Sequence, residues 1–286
     1  MSDKSEFILG VDIGGTHISA AIVNKLDWKI ISENVVRNHV FSQENAKSIF
    51  LTWANTINSC AAAAGSKVKH IGIAMPGPFD YENGVSMMTG QSKYDELYKV
   101  NVKTPLSTLT GIPEQNIHFI NDAAAFLQGE VFAQHLHTKE RVLGITLGTG
   151  LGSAVWNKGE KSFDADLWNT PYQGLIFEEF LVTRWFIRRF KELTNIEVTG
   201  LKQIINEHQE EPAFSTICDE YSTHLIAFLD FFSKKYNCND FVIGGNIAKA
   251  LPLLLNQKKK EIEVFHIKTA ILGEEAAIIG AAAQFS

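Results

Sequence analysis

Cysteine is scarce here, and its placement excludes more than its number does. Cys60, Cys218 and Cys238 stand far apart and form no CxxC or CxC pair, so neither a local zinc clasp nor a disulfide framework is suggested. That pattern fits a reduced, cytoplasmic enzyme with buried thiols. Long hydrophobic runs are missing too. No stretch approaches the ~20 apolar residues a membrane helix needs, and the opening MSDKSEFILGVDIGG is polar before it becomes strand-like, unlike a signal peptide. Positive charge is in deficit: a net charge of -6 gives no electrostatic reason to bind nucleic acid or an anionic membrane. No low-complexity linker divides the chain. What remains is the balance of an ordinary soluble protein, with 45% hydrophobic and 20% charged residues. A chain of 286 residues suits one large or two medium domains.

Three glycine turns punctuate this background. Phe7 to Val23 is two apolar runs joined by Gly14-Gly15, the pattern of a hairpin. A helical pattern spans Glu44 to Ala64, with Ile49, Phe50, Trp53, Ala54 and Ile57 on one face. His70 to Pro78 reads as a buried strand stopped by Pro-Gly-Pro. Phe79 to Asn101 is polar and loop-like, and Ile117 to Phe132 reads as a strand running into a helix. The layout then restarts. Arg141 to Trp156 is again strand, glycine-rich turn, strand; Ile176 to Tyr236 is largely helical; Asp240 to Ala250 is a strand whose Gly244-Gly245 opens a helix. The last residues read as a strand, a turn and a small-residue helix. Two similar strand–glycine–strand units, each followed by helices, predict a duplicated α/β chain with a cleft between the copies.

The turns carry a chemical expectation. Consecutive glycines let a backbone approach a ligand, and the exposed N–H groups of such a turn can hold an anion. The first turn adds Asp12 and Thr16. A carboxylate beside a phosphate is repulsive unless a cation lies between, so Asp12 implies Mg²⁺, reached through water. The second turn, Gly148-Thr149-Gly150, has no carboxylate and can meet phosphate directly. Gly244-Gly245, read as opening a helix, suits the α-phosphate or adenosine end of a nucleotide.

With Asp12 to Thr16, Gly72 to Pro78, Asn121-Asp122-Ala123-Ala124-Ala125, Gly148 to Gly152 and Gly244-Gly245, the chain resembles the ROK family of sugar kinases and repressors, within the hexokinase–actin superfamily. The resemblance runs from residue 8 to the C-terminus. It implies an α/β, two-lobed actin-like ATPase (ribonuclease H-like) fold with an interdomain active-site cleft. The lobes would be residues 1–121 plus 272–286 and residues 122–271. It implies ATP and Mg²⁺ as cofactors, a small-molecule sugar as substrate, and a homodimer. It assigns Asp12, Gly14, Gly15, Thr16, Gly148, Thr149, Gly150, Gly244 and Gly245 to the nucleotide, and Asn121, Glu178 (with Glu179 the alternative register), Asp166, Asn169 and Gly77 to the sugar.

The departures from the family pattern also carry expectations. Where ROK kinases have Glu-Xaa-Gly-His and a cysteine-rich zinc loop, this chain has Asp166 and Asn169 and lacks the zinc cysteines of that region, so no zinc site is expected. The usual Asn-Leu-Pro-Gly-Trp loop is replaced by Thr89 to Asp95, which offers Gln91, Lys93 and Asp95 as hydroxyl ligands or as a solvated loop. The repressors carry a helix-turn-helix ahead of the first turn, and only seven residues precede Ile8.

The chemistry expected is transfer of the γ-phosphoryl group of ATP to a hexose hydroxyl, the 6-hydroxyl by family habit. Asp122 is the expected base, since an ordinary aspartate is ionised at pH 7 and can accept the hydroxyl proton. The competing structural role for Asp122 is a helix N-cap. The competing function is a catalytically degenerate sugar sensor without a DNA-binding domain. His17 is either a phosphate donor or a surface imidazole; His135 and His137 read as surface residues, and Phe228, Phe231 and Phe232 as core or a subunit contact.

Overall fold

In a computed structural model, residues 7–31, 35–63, 68–90 and 92–286 are described. The chain separates into two compact units. One comprises residues 1–137, 159–163 and 274–286, the other residues 138–158 and 164–273.

The first unit is built on strands rich in Ile, Val, Leu and Ala, which suit a sheet buried on both faces. β1 (Phe7–Ile13) and β2 (His17–Asn24) form the expected hairpin, extended by β3 (Lys29–Ile30) and β4 (Val36–His39). Helix α1 (Ala46–Ala63) follows, burying Ile49, Trp53, Ile57 and Cys60 on one face. β5 (Ile71–Met75) is wholly buried, as its apolar run predicts. The segment read as a polar loop instead holds a small hairpin, β6 (Phe79–Asp80) with β7 (Val85–Ser86), and the buried side chains Met88, Tyr94 and Leu97. Their irregular spacing has no period, which is why a pattern search passes over them. Helix α2 (Lys103–Thr110), β8 (Ile117–Asn121) and helix α3 (Asp122–Ala133) complete this stretch. The sheet order is β3-β2-β1-β5-β8, with β4 also on β2; β1, β5 and β8 run parallel.

The second unit repeats the plan. β9 (Arg141–Leu147) and β10 (Leu151–Asn157) form a hairpin, joined by β11 (Phe163–Asp164), and β12 (Pro171–Tyr172) pairs with β13 (Leu175–Ile176). A helical block follows: α4 (Glu178–Leu181), α5 (Thr183–Thr194), α6 (Leu201–His208) and α7 (Pro212–Tyr236). Pro212 opens α7, where its missing N–H costs nothing. Along that helix Phe214, Cys218, Tyr221, Leu225, Phe228 and Phe232 form the buried stripe, so Phe228 and Phe232 are core. β14 (Asp240–Gly244), short helices α8 (Leu251–Leu254) and α9 (Lys259–Ile262), and β15 (His266–Thr269) finish the unit. Its sheet order is β11-β10-β9-β14-β15, matching β3-β2-β1-β5-β8; β9, β14 and β15 run parallel with β10 antiparallel, as β1, β5 and β8 do with β2.

Two expectations are corrected. The boundary between units falls after His137 and before Glu274, not at residues 121 and 272, because α3 belongs with the C-terminal helix α10 (Glu275–Ala282). The two helices pack backbone to backbone: a Cβ on Gly280 would lie 1.8 Å from the Ala125 carbonyl oxygen, and one on Gly129 2.2 Å from that of Ala276. Gly244-Gly245 does not open a regular helix either; a 3₁₀ turn at Ala248–Ala250 and the four residues of α8 follow it. Gly245 is needed for a different reason. Its φ is +91°, and a Cβ there would lie 2.2 Å from the carbonyl oxygen of Leu147, at the mouth of the second turn. Among the described residues, no helix is long and apolar enough to cross a membrane.

Candidate active site

The first turn joins β1 to β2. Gly14 N–H donates to the His17 carbonyl at 2.9 Å, which closes the hairpin and removes Gly14 from the donors expected for a ligand. Among the described residues, the N–H groups of Gly15 and Thr16 take no hydrogen-bond partner, so these two point the turn toward an anion. The Thr16 hydroxyl meets His17 Nδ1 at 2.9 Å, and the His17 ring packs edge-on to His39 at 5.2 Å. His17 is thus part of a small aromatic cluster with His39 and Phe41.

Asp12, half-buried near the end of β1, carries the unusual charge of this unit. Desolvation, then repulsion from Asp122 and Glu274, push its carboxyl up to about 7, against a smaller pull from Arg37. Arg37 itself pairs with Glu274. A half-buried carboxylate facing two others is the donor chemistry a divalent cation neutralises. No group of three His, Cys, Asp or Glu side chains that could hold a metal gathers among the described residues. The fit is therefore to a cation held partly by Asp12 and partly by phosphate oxygens and water, the usual arrangement for Mg²⁺.

The strand-to-helix junction from β8 to α3 resolves the cap question. Asn121 is the cap: its Oδ1 accepts from Ala123 N–H at 2.8 Å and Ala124 N–H at 3.1 Å, and its backbone is extended. Asp122 is the first helical residue. One carboxyl oxygen shares the Ala123 N–H at 2.8 Å, and the other has no hydrogen-bond donor among the described residues. Desolvation by surrounding protein raises the Asp122 carboxyl, while the Ala123 N–H and the charge of Lys93 draw it down. Its surface is nonetheless exposed. Solvent at the exposed carboxyl offsets part of that rise, and a carboxyl held above the ordinary aspartate range is a stronger proton acceptor. Asn121, by contrast, is buried, and its Nδ2 donates to the Tyr81 hydroxyl at 3.2 Å. Tyr81 in turn donates to the Met75 carbonyl at 3.1 Å and stands against Gly77, where a Cβ would lie 3.2 Å from its hydroxyl. One amide hydrogen of Asn121 is left without an acceptor among the described residues.

The loop in place of the family's Asn-Leu-Pro-Gly-Trp sequence is anchored by a residue that sequence reasoning missed. Tyr94 is fully buried, and its hydroxyl donates to the Gly14 carbonyl at 2.6 Å. Burial holds its phenol well above the ordinary range, so it stays a neutral donor. Nothing in a polar stretch signals such an anchor except the lone aromatic itself. Asp95 begins a 3₁₀ turn and is exposed, and Gln91 lies outside the described residues.

In the second unit, the turn between β9 and β10 is braced from its flank. Gly148 N–H donates to Gly150 O at 3.2 Å; the Gly148 carbonyl accepts from both Thr183 N–H at 2.8 Å and Thr183 Oγ1 at 2.9 Å. The N–H groups of Thr149 and Gly150 have no partner among the described residues, matching Gly15 and Thr16. Glu178, expected at the sugar, is engaged within the protein. Its Oε2 accepts from Leu151 N–H at 2.9 Å and its Oε1 from Arg184 at 2.9 Å, so it ties α4 to the turn. Arg184 also grips Glu179 at 2.7 Å. Asp166 is exposed with φ +49°, and its carboxylate accepts from the Trp168 indole at 2.8 Å; Asn169 is exposed.

The sequence profile described as the ROK family matches residues 8–162. A glucokinase from Thermotoga maritima is similar at 23% identity over 313 positions, covering 96% of this chain and 96% of its own. An N-acetyl-D-glucosamine kinase from Haemophilus influenzae is 30% identical over 154 residues, 53% of this chain and 46% of its own. Among solved structures, a ROK family glucokinase from Streptomyces griseus, in complex with glucose and AMPPNP, superposes with a TM-score of 0.72 at 20% identity, covering 97% of this chain and 98% of that one. A ROK hexokinase from Thermus thermophilus gives 0.75 at 21%, covering 96% of each. At these identities the structures establish the fold, the actin-like ATPase fold.

Proposed function

The chain belongs to the ROK family, and from that premise we infer that it is an ATP-dependent sugar kinase, moving the γ-phosphoryl group to a hydroxyl of a hexose or hexose derivative. The observation that carries this reading is the division of labour at the β8–α3 junction. Asn121 caps the helix, which leaves an exposed Asp122 with one carboxyl oxygen uncommitted. A helix needs one cap; a carboxylate beside the capping amide, electrostatically coupled to Asp12, is explained by chemistry.

In the reaction, Asp122 accepts the proton of the attacking sugar hydroxyl. The bond from that oxygen to the γ-phosphorus forms as the bond from phosphorus to the bridging oxygen of ADP breaks. The N–H groups of Gly15 and Thr16 donate to phosphate oxygens, and those of Thr149 and Gly150 are the matching donors of the second turn. Mg²⁺, held at Asp12 through water, would neutralise phosphate charge. Positioning and charge stabilisation supply most of the rate, since a phosphoryl group in transfer needs little covalent help. The 6-hydroxyl is the proposed acceptor.

A second reading, sugar binding without turnover, draws on Asp166 and Asn169, which depart from the family pattern and stand exposed. A coupled ADP-release assay over glucose, mannose, fructose, allose and N-acetylated hexosamines separates the two. The kinase reading expects ADP release that depends on one of these sugars. Saturable sugar binding with no ADP release would end it in favour of the second.

A further inference from the structure

Lys93 lies in the loop that replaces the family's sugar-loop sequence. Its stem runs along the first turn: its Cδ is 3.7 Å from where a Cβ on Gly15 would stand. Its charge is felt at Asp122, the expected base. It is half-buried, and among the described residues its ammonium has no ion-pair or hydrogen-bond partner. A stem packed on the turn with a charged head that no carboxylate of the described residues claims leaves that head available to an anionic ligand.

The backbone holds it there by force. Ser92 and Tyr94, on either side of Lys93, both adopt left-handed conformations, with φ of 58° and 57°. Non-glycine residues persist in that region only when their surroundings over-determine them, and such strain gathers at functional sites. The surroundings here are the Tyr94 hydroxyl on the Gly14 carbonyl at 2.6 Å, Tyr94 N–H on the Ser42 carbonyl at 2.8 Å, and Gln43 Nε2 on the Ser92 carbonyl at 3.0 Å. The loop is thus bolted to the phosphate turn at the residue next to Lys93. A cavity of about 560 Å³, lined by Gly15, Thr16, His39 and Lys93 among others, opens beside it.

We propose that Lys93 is a further catalytic residue, whose ammonium contacts the non-bridging oxygens of the γ-phosphoryl group between the first glycine turn and Asp122. The proposal rests on the sugar-kinase reading above. In flight the phosphoryl group spreads negative charge over its equatorial oxygens, with the leaving oxygen of ADP on one side and the sugar oxygen, its proton passing to Asp122, on the other. A compact ammonium with three donors on a flexible stem suits that moving charge. The charge of the same ammonium draws the Asp122 carboxyl down, against its desolvation.

The test compares Lys93→Met and Lys93→Arg with the wild type in two assays. In steady-state turnover with the preferred sugar, Lys93→Met lowers kcat by roughly 10² to 10³, the usual loss for a group that stabilises developing charge. The KM for sugar stays within about threefold, as expected for an interaction made mainly in the transition state, and Lys93→Arg recovers part of the loss. In calorimetric titration, Lys93→Met weakens binding of Mg–AMPPNP by about tenfold while leaving Mg–ADP unchanged, the signature of one lost charge-assisted contact to the third phosphate. A raised sugar KM with unchanged kcat would overturn the proposal and make Lys93 a sugar ligand. Unchanged kcat, or equal losses for AMPPNP and ADP, would also overturn it. A wild type without sugar-dependent turnover would sink the kinase reading, while the two titrations would still decide whether Lys93 meets the third phosphate. If Lys93→Met fails to fold, Lys93→Gln serves in its place.

Discussion

The two glycine turns of this chain sit on the same strand pair of the same sheet plan, yet they are furnished differently. The turn after β1 has a carboxylate at its base, Asp12, and a tyrosine anchor, Tyr94. The turn after β9 has no acidic residue within it and is braced from outside by Thr183 and Glu178, the latter locked by Arg184. Each leaves two N–H groups without partners among the described residues. The difference teaches that the backbone supplies anion recognition twice, while side chains decide which turn also handles a cation. A desolvated carboxylate opposed by two others is unfavourable by itself and becomes favourable once a divalent ion and phosphate arrive. A turn braced by neutral and ion-paired groups needs no such partner.

Substitutions at the two turns should therefore behave differently, and the largest contrast is at Asp12. Asp12→Asn should lower kcat by roughly 10² to 10³, in line with loss of one charge-stabilising element, and shift the Mg²⁺ requirement upward in a metal titration of the rate. The same substitution should stabilise the ligand-free protein at alkaline pH. The folded state raises the Asp12 pKa from 3.8 to about 7. Between these values the native state holds a proton that the unfolded chain has released, so this group makes stability fall as pH rises from about 4, with the full penalty present above about 7. Melting curves without metal at pH 5 and pH 8 should show a smaller difference for Asp12→Asn than for wild type. An equal difference would remove Asp12 as the source.

Next in size is Tyr94→Phe. It leaves the ring packed but strips the Gly14 carbonyl of a buried donor, costing about 1 to 3 kcal/mol in denaturant unfolding. The KM for ATP should rise with it, because the phosphate turn loses its anchor. The smallest effect belongs to the second turn. Thr183→Val removes one of two bonds on the Gly148 carbonyl and should cost about 0.5 to 1.5 kcal/mol. A Thr183 effect larger than the Tyr94 effect would reverse the ranking of the two braces.

Much of this architecture was legible in the sequence because its signals are local. Apolar runs flanking glycines read directly as hairpins, and the β8–α3 junction was visible as an apolar strand entering an alanine-rich helix. Three things were not legible, each for a physical reason. The N-cap at that junction falls on Asn121 or Asp122 with equal propensity, and only the backbone angles decide. The pairing of α3 with α10 joins segments some 150 residues apart through small residues that carry no periodic signal. Gly245 was read as a helix opening, while its glycine is required by contact with Leu147 from a distant strand. At the site, the hydrogen bonds that engage Glu178 and Asn121 within the protein come from tertiary neighbours, so their commitment could not be read from spacing.

The account stands on the uncommitted carboxylate of Asp122. Its most direct test is Asp122→Asn, measured for turnover and, by calorimetry, for binding of sugar and Mg–AMPPNP. The result expected is a loss of about 10² to 10⁴ in kcat, the usual range for a general base, with both ligands still bound at near wild-type affinity. Turnover within about threefold of wild type would contradict the account, because a proton that leaves as readily without Asp122 was never taken by it.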